Sequence, residues 1–118
     1  MYGEWRKNKT VLFINSGLKA EFSTYYEDQR DIMCDSVRPE WGVSSRKDNR
    51  HVVIRDGRGD LFSEYVDRDR GNEMYRDIVE LSKGWNPYKQ RYEVEAWVAN
   101  GGRFADGQRE RVIQNQLH

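Results

Sequence analysis

The segment from residue 38 to residue 50 holds the densest group of side chains that could bind a partner. Its cationic and aromatic members are Arg38, Trp41, Arg46, Lys47 and Arg50. No hydrophobic periodicity runs through the segment, so we predict a long polar connection, and such connections often carry function. Guanidinium groups pair with carboxylates and phosphates, and an indole ring can fill a pocket or stack on a base. The segment therefore favours contact with an acidic protein surface or, alternatively, with a nucleic acid.

A second candidate for chemistry is the pair of carboxylates Glu93 and Glu95. If residues 92–98 form a strand, as their alternation predicts, the two side chains lie on one face, roughly 6 to 7 Å apart. Such a pair could act as general acid and base or hold a hard metal ion, and His51 could join it if the fold brought it close. This set supports the alternative hypothesis of a small hydrolase or nuclease.

Other sequence patterns fail as catalytic or cofactor motifs. Cys34 has no histidine at helical spacing to act as its base, and as the single cysteine it cannot form an internal disulfide. A calcium-loop pattern that starts at Asp67 lacks the glycine and the glutamate that such a loop needs at its sixth and twelfth positions. The chain also lacks a phosphate-binding glycine loop, a Cys-x-x-Cys pair and a His-Glu-x-x-His helix. We therefore expect no cofactor and no metal, and a non-enzymatic function is favoured over the hydrolase or nuclease alternative.

Charge is segregated along the chain although its total is zero. Twenty Lys and Arg balance twenty Asp and Glu over 118 residues, which argues against a uniformly basic protein. Successive blocks carry formal charges of +3 in residues 1–19, −4 in 20–37, +3 in 38–55, −4 in 56–80 and +2 in 81–118. We predict that folding gathers the three positive stretches into one basic patch.

The tryptophans follow the same division. All four of them, Trp5, Trp41, Trp85 and Trp97, fall in the positive stretches. Fourteen Arg against six Lys suit planar or stacking contacts better than point-charge attraction. We therefore expect the basic patch to carry Trp41 and Trp97 as anchors beside Arg38, Arg46 and Arg50.

Hydrophobic periodicity in the first half of the chain predicts a strand and a helix. Four consecutive apolar residues predict a buried strand over residues 10–15, and Trp5 would lie on a partner strand before a turn at Lys7-Asn8-Lys9. Residues 25–35 have helical spacing, and Thr24 begins a capping-box pattern in front of them.

The second half of the chain contains the strongest turn signal. The glycines of Asp56-Gly57-Arg58-Gly59-Asp60 predict a hairpin between strands at residues 51–55 and 61–66, which also explains the Arg-Gly-Asp tripeptide as turn chemistry. A helix should follow from an N-cap at Asn72 to about Lys83, with Gly84 just beyond its end. Residues 103–117 could form an edge strand or a terminal helix.

These elements predict one α+β domain over residues 1–118, in which a mainly antiparallel sheet of about four to six strands packs against two helices. No apolar run approaches the roughly 20 residues that span a membrane, and the single cysteine favours a reducing compartment, so we expect a cytoplasmic protein. The composition favours a small non-enzymatic protein that binds another protein through Arg and Trp side chains.

Size and composition would suit a phage or mobile-element accessory protein that inhibits a larger host complex by covering a functional surface. Nucleic-acid binding through residues 38–50 is the alternative binding function. An exposed sheet edge would also allow a homo-oligomer.

Overall fold

The structure, a computed structural model, describes residues 3–27 and 49–117. Four strands come first and three helices follow. The strands are β1 (Gly3–Phe13), β2 (Leu18–Glu27), β3 (Asn49–Asp56) and β4 (Gly59–Asp67), and the helices are α1 (Arg68–Ser82), α2 (Pro87–Ala99) and α3 (Gln108–Gln114).

The four strands form one open sheet in the order β1-β2-β3-β4, and each neighbouring pair is antiparallel. The α+β class and the antiparallel sheet are thus confirmed. Of the two predicted helices, the described residues contain only the second, as α1. Helix α2 occupies a stretch predicted as a strand, and α3 lies in residues 103–117, for which a terminal helix was one of the two predictions.

The hairpin between β3 and β4 is confirmed. Asp56 Oδ1 accepts hydrogen bonds from the backbone N–H groups of Arg58 at 2.7 Å and Gly59 at 3.1 Å. Gly59 has a φ of +156°, a conformation that side chains with a Cβ rarely adopt. These contacts lie within four consecutive residues, which is why the local sequence was sufficient to predict the turn.

The predicted turn at Lys7-Asn8-Lys9 is wrong, and Trp5 lies on the same strand as the apolar run rather than on a partner. The β1–β2 register passes from Lys7↔Ser23 to Lys9↔Phe22, so Asn8 is the extra residue of a β-bulge. The Asn8 side chain donates to the hydroxyl of Thr24 across the strand pair. A bulge absorbs one polar residue without reversing the chain.

The predicted helix over residues 25–35 is wrong wherever the structure describes it. Residues 25–27 and the capping-box pattern at Thr24 lie inside β2. Leu18, Ala20 and Phe22 of β2 are buried with the period of two that a strand requires. Residues 25–27 pair with β1, and the pairing of β2 with β3 ends at Thr24. This strand pairing outweighs the local helical pattern. The rest of the predicted helix lies outside the described residues.

The predicted strand over residues 92–98 is also wrong, because these residues belong to α2. Asn86 caps this helix by accepting from the N–H groups of Tyr88 and Lys89, both at 3.0 Å, and Pro87 occupies its first turn. The buried residues of α2 are Gln90, Glu93, Val94 and Trp97, a spacing of three and four that fits a helix.

Helix α1 begins earlier than predicted and ends where expected. Its N-cap is Asp67, whose Oδ1 accepts from Arg70 N at 2.7 Å, so the predicted cap at Asn72 is wrong. The helix ends at Ser82 with Lys83 as its C-cap. The turn from β4 into α1 is therefore direct.

One face of the sheet packs on the helices and forms the core. The fully or nearly fully buried apolar side chains come from all four strands and all three helices: Phe13, Leu18, Ala20, Phe22, Val52, Ile54, Phe62, Met74, Ile78, Leu81, Val94, Trp97 and Val112. The opposite face of the sheet is not covered by any described helix and is called the open face below.

Candidate binding surface

The open face carries a cluster of aromatic rings, one from each strand: Trp5, Tyr25, His51 and Tyr65, the aromatic cluster below. The pairing Trp5↔Tyr25 and His51↔Tyr65 in the strand register places each pair directly opposite one another. Trp5 lies across the sheet, with its ring centroid 5.3 Å from that of Tyr25, 5.8 Å from His51 and 5.4 Å from Tyr65. Four side chains distant in sequence thus form one contiguous surface.

His51 and Tyr65 form the flat part of this surface. Their rings stack with centroids 4.3 Å apart and planes within 9° of parallel. His51 Nε2 also lies 2.9 Å from the hydroxyl oxygen of Ser63. Burial, followed by the positive charge of Arg55, lowers the pKa of His51. The imidazole is therefore mainly neutral at pH 7 and adds no charge to the aromatic cluster.

Next to the aromatic cluster lies a group of charged residues, Lys7, Lys19, Glu21, Arg55 and Asp60, called the charged cluster below. Glu21 is buried and accepts from Lys7 Nζ at 2.6 Å and from the guanidinium of Arg55, while Lys19 Nζ lies 3.9 Å away. Arg55 Nε donates to Asp60 Oδ1 at 2.8 Å. The hydrogen bond from Lys7 does most to lower the pKa of Glu21. The buried carboxylate holds three cations of three strands at the open face.

The two outer members of the aromatic cluster are well exposed for their size. Trp5 is 39% exposed and Tyr65 is 67% exposed. Large rings in contact with one another lose little conformational entropy when a partner covers them, since their orientation is already restricted. The geometry suits recognition of a flat apolar or aromatic group with hydrogen-bonding neighbours.

Most of the predicted binding segment lies outside the described residues. This holds for Arg38, Trp41, Arg46 and Lys47, and also for Cys34. Arg50 is described, in β3, where it lies on the helix side of the sheet. The methylene groups of its side chain pack close to Gly71 of α1. If Gly71 had a Cβ, that atom would lie only 3.0 Å from Arg50 Cγ. Arg50 is thus on the opposite side of the sheet from the aromatic cluster.

Trp97, predicted as a surface anchor, is instead a core residue. Its side chain is fully buried, and its Nε1 donates to Asp77 Oδ2 at 3.1 Å. The helical period of α2 turns Trp97 inward with Glu93 and Val94, where the predicted strand would have left it on an outer face. In the folded domain Trp97 cannot touch a partner.

The alternative catalytic set is not assembled in the described structure. Glu93 is buried and binds Arg111 through Nε at 2.6 Å and Nη2 at 2.9 Å, while Glu95 is exposed and pairs with Arg91 at 3.1 Å. His51 lies on the open face of the sheet, away from this helix pair. The described residues contain no group of three or more His, Cys, Asp or Glu placed to hold a metal ion.

Two of the three positive stretches meet in the fold. Strands β1 and β3 flank β2, which brings Lys7, Lys19 and Arg55 together around Glu21. The third stretch forms α2 and α3 on the other side of the sheet. From it Arg91 reaches the end of the hairpin, where its Nη2 lies 3.0 Å from Asp56 Oδ2.

Sequence reasoning missed Trp5, Tyr25 and Tyr65 as members of one site. The available signal was the period-two spacing of aromatic and polar residues in each strand, for instance Trp5 with Lys7 and Ser63 with Tyr65. It was overlooked because β1 was predicted too short and β2 was predicted as a helix over Tyr25.

The comparisons with known proteins give no relative on which a function could rest. No family model matches the chain, and neither the curated proteins nor the solved structures contain a significant match. Within residues 3–27 and 49–117, none of the helices combines the length and apolar character that crossing a bilayer requires.

Proposed function

We propose that this chain is a small non-enzymatic binding protein that contacts a protein partner through the open face of its sheet. The observation that carries the proposal is the aromatic cluster, in which exposed Trp5 and Tyr65 lie in ring contact with Tyr25 and His51. Trp, Tyr and Arg are the residues that most often dominate the energy of protein interfaces.

The charge of the open face supports a protein partner. Glu21 and Asp60 already pair with Lys7 and Arg55, so the charged cluster offers few cations without a carboxylate neighbour. A nearly neutral surface with a polar rim resembles the interfaces between proteins more closely than a track for a polyanion. Bound there, the chain would act as an inhibitor or modulator by covering a functional surface of its partner.

The test compares how much of a partner protein is captured by three tagged forms of the chain: the parent, an open-face variant and a control variant. The capture is carried out in cells that naturally produce the parent chain. The open-face variant is Trp5→Ala/Tyr65→Ala, and the matched control is Tyr88→Ala/Tyr92→Ala, which removes two exposed rings of α2. We expect a protein captured by the parent to fall by about tenfold with the open-face variant, as loss of two interface aromatics would cause. The control should retain it, and circular dichroism should show both variants folded.

Equal capture by the parent and the folded open-face variant would exclude the open face as the interface. Loss of the same partner in the control as well would place the contact elsewhere or show it to be nonspecific.

A second candidate function is binding of single-stranded nucleic acid on the same face. It is favoured by the position of four rings and three cations on one side of an antiparallel sheet, since bases stack on aromatic side chains displayed in this way. Fluorescence anisotropy with labelled oligonucleotides across a salt series separates the two functions. Binding that weakens steeply with salt and is lost in Trp5→Ala/Tyr65→Ala would favour nucleic acid over a protein partner.

A further inference from the structure

A second polar site lies on the helical side of the domain, away from the open face. A groove of about 490 Å³ runs between α1 and the chain that leads from α2 into α3. Four guanidinium groups line it, those of Arg70, Arg76, Arg103 and Arg109, and we call it the arginine groove. Its volume is within the usual range of small-molecule sites, roughly 300 to 1,000 Å³.

Three of the four arginines have no carboxylate partner among the described residues. Arg70 is held in place, because it donates to the carbonyl of Gly102 and lies 3.8 Å from Glu73. Arg76, Arg103 and Arg109 form no ion pair with any residue of the described chain, and all three are exposed. Their N–H donors are available to an anionic ligand.

The acidic residues of the groove are each engaged by another group. Glu80 accepts from Gln116 Nε2 at 2.9 Å and from Lys83 Nζ at 3.3 Å, and Asp77 accepts from Trp97 Nε1. Burial raises the pKa of Asp77, while the hydrogen bond from Trp97 and the charges of Arg70 and Arg109 act in the opposite direction. The charge of Arg109 also helps to lower the pKa of Glu80. Arg109 thus interacts with both carboxylates through its charge, but neither carboxylate forms an ion pair with Arg76, Arg103 or Arg109.

The arginine groove also has apolar walls. Phe104 and Tyr75 line it and are half-buried, packed against the core cluster. The Tyr75 ring already has Lys9 Nζ over it, 4.2 Å from its centroid. Phe104, which packs against the core and lines the groove, is therefore the ring that can meet a planar ligand. Guanidinium donors next to such a ring match a ligand that joins a phosphate to an aromatic base.

We propose that the arginine groove binds a nucleotide, with its phosphates on Arg103 and Arg109 and its base against Phe104. The phosphate could belong to a free nucleotide or to the end of a nucleic acid strand, and both offer the same chemistry to the arginines. The groove and the open face are on opposite sides of the sheet. Failure of nucleotide binding would therefore leave the proposed protein interface untouched.

The test is isothermal titration of the full chain with ADP, with pyrophosphate and with a short 5′-phosphorylated oligonucleotide. We expect ADP to saturate the protein below about 1 mM and to bind more tightly than pyrophosphate, since only ADP carries a base. Arg103→Ala/Arg109→Ala should weaken ADP binding by about tenfold or more, because it removes two charge-assisted contacts. Arg58→Ala/Arg68→Ala removes the same charge outside the groove and should have little effect.

The role of the ring is tested separately with Phe104→Leu, which keeps an apolar side chain in place. This variant should weaken ADP binding and leave pyrophosphate binding unchanged. Two outcomes would overturn the proposal: no saturable binding of either ADP or the oligonucleotide, or equal losses in the two double-arginine variants. Binding of the oligonucleotide without ADP would identify a strand end as the source of the phosphate. Equal affinity for ADP and pyrophosphate would also overturn it, since the base would then make no contact.

Discussion

Glu93 shows how a single residue can look catalytic in sequence and be structural in the fold. Its carboxylate is buried beneath α3 and meets Arg111 through two hydrogen bonds and Gln108 through a third of 3.1 Å. Burying an ionised carboxylate is unfavourable unless it is paired and hydrogen-bonded. These contacts join α2 to α3, so the residue stabilises the packing of the terminal helix.

Removing Arg111 should therefore destabilise the fold more than removing an arginine of equal charge elsewhere. We expect Arg111→Ala to lower the free energy of unfolding by about 1 to 3 kcal/mol, because it leaves the Glu93 carboxylate buried without its cation. The figure lies below that for a fully enclosed pair because the Arg111 side chain is 50% exposed. Urea denaturation measures the change.

Arg103→Ala is the matched control for this prediction, since Arg103 is exposed and forms no ion pair with a described residue. Its effect on unfolding should be within about 0.5 kcal/mol. In a double-mutant cycle, Glu93→Gln should reduce the cost of Arg111→Ala. Independent, additive effects would show that the pair contributes nothing to stability.

At the scale of elements, the end of α2 depends on two glycines with different surroundings. Gly101 N donates to Val98 O at 3.0 Å and Gly102 N to Trp97 O at 2.9 Å, the pattern of a Schellman motif. Both glycines have positive φ, +76° and +82°. Only Gly102 is also confined, because a Cβ there would lie 2.9 Å from Met74 Cε and 3.0 Å from Phe62 Cζ.

The two alanine variants should therefore differ. Gly101→Ala should cost about 1 to 2 kcal/mol of unfolding free energy, since it introduces only the strained φ. Gly102→Ala should cost about 1 to 3 kcal/mol more, because the added methyl group must also displace core side chains. Thermal and urea unfolding of both proteins provide the comparison. Equal costs would mean that the core adapts to the extra methyl group without strain.

Secondary structure was predictable where the determining contacts are local. The β3–β4 turn is closed by Asp56 and Gly59, and the buried face of α1, which includes Met74, Ile78 and Leu81, follows the helical period within the element itself. At residues 92–98 the same residues fit a strand by alternation and a helix by the spacing of Glu93 and Trp97. The cap at Asn86 and Pro87 was the local signal that favours the helix.

At the scale of the whole molecule, several shifted carboxyls make stability depend on pH. The pKa values of Glu21, Asp56 and Glu80 are lowered, chiefly by hydrogen bonds from Lys7, from the backbone of Arg58 and from Gln116. A lowered folded-state pKa stabilises the fold above the unfolded value and loses that effect as pH falls through the folded value. Burial raises the pKa of Asp77, which has the opposite sign.

Among the described residues, three carboxyls have a lowered pKa and one has a raised pKa, so we predict a net loss of stability in acid. We expect the free energy of unfolding to fall as the pH drops below about 4, where these groups take up protons. Urea denaturation at neutral and acidic pH measures this. Glu21→Gln should make the fall smaller. Asp77→Asn should make it larger, because among the described residues Asp77 is the carboxyl whose protonation favours folding. The same pH dependence in both variants would contradict this assignment.

The aromatic cluster also exists only in the complete fold, because its members come from segments far apart in sequence. Its four rings come from four strands. Among rings on neighbouring strands, His51 and Tyr65 are nearest in sequence, and even they are 14 residues apart. Their meeting depends on the bulge at Asn8, which changes the face of β1 on which Trp5 lies. No local pattern contains that information.

The amino-acid sequence alone determined the α+β class, the β3–β4 hairpin and the existence and end of α1. Turns and amphipathic helices depend on residues that are close together in sequence, so they could be predicted from it. Only the tertiary structure decided that β2 extends through Tyr25, that Trp97 is a core residue and that Trp5 meets Tyr65. The physical reason is that strand pairing and burial are set by contacts between distant segments, and these outweigh weak local preferences.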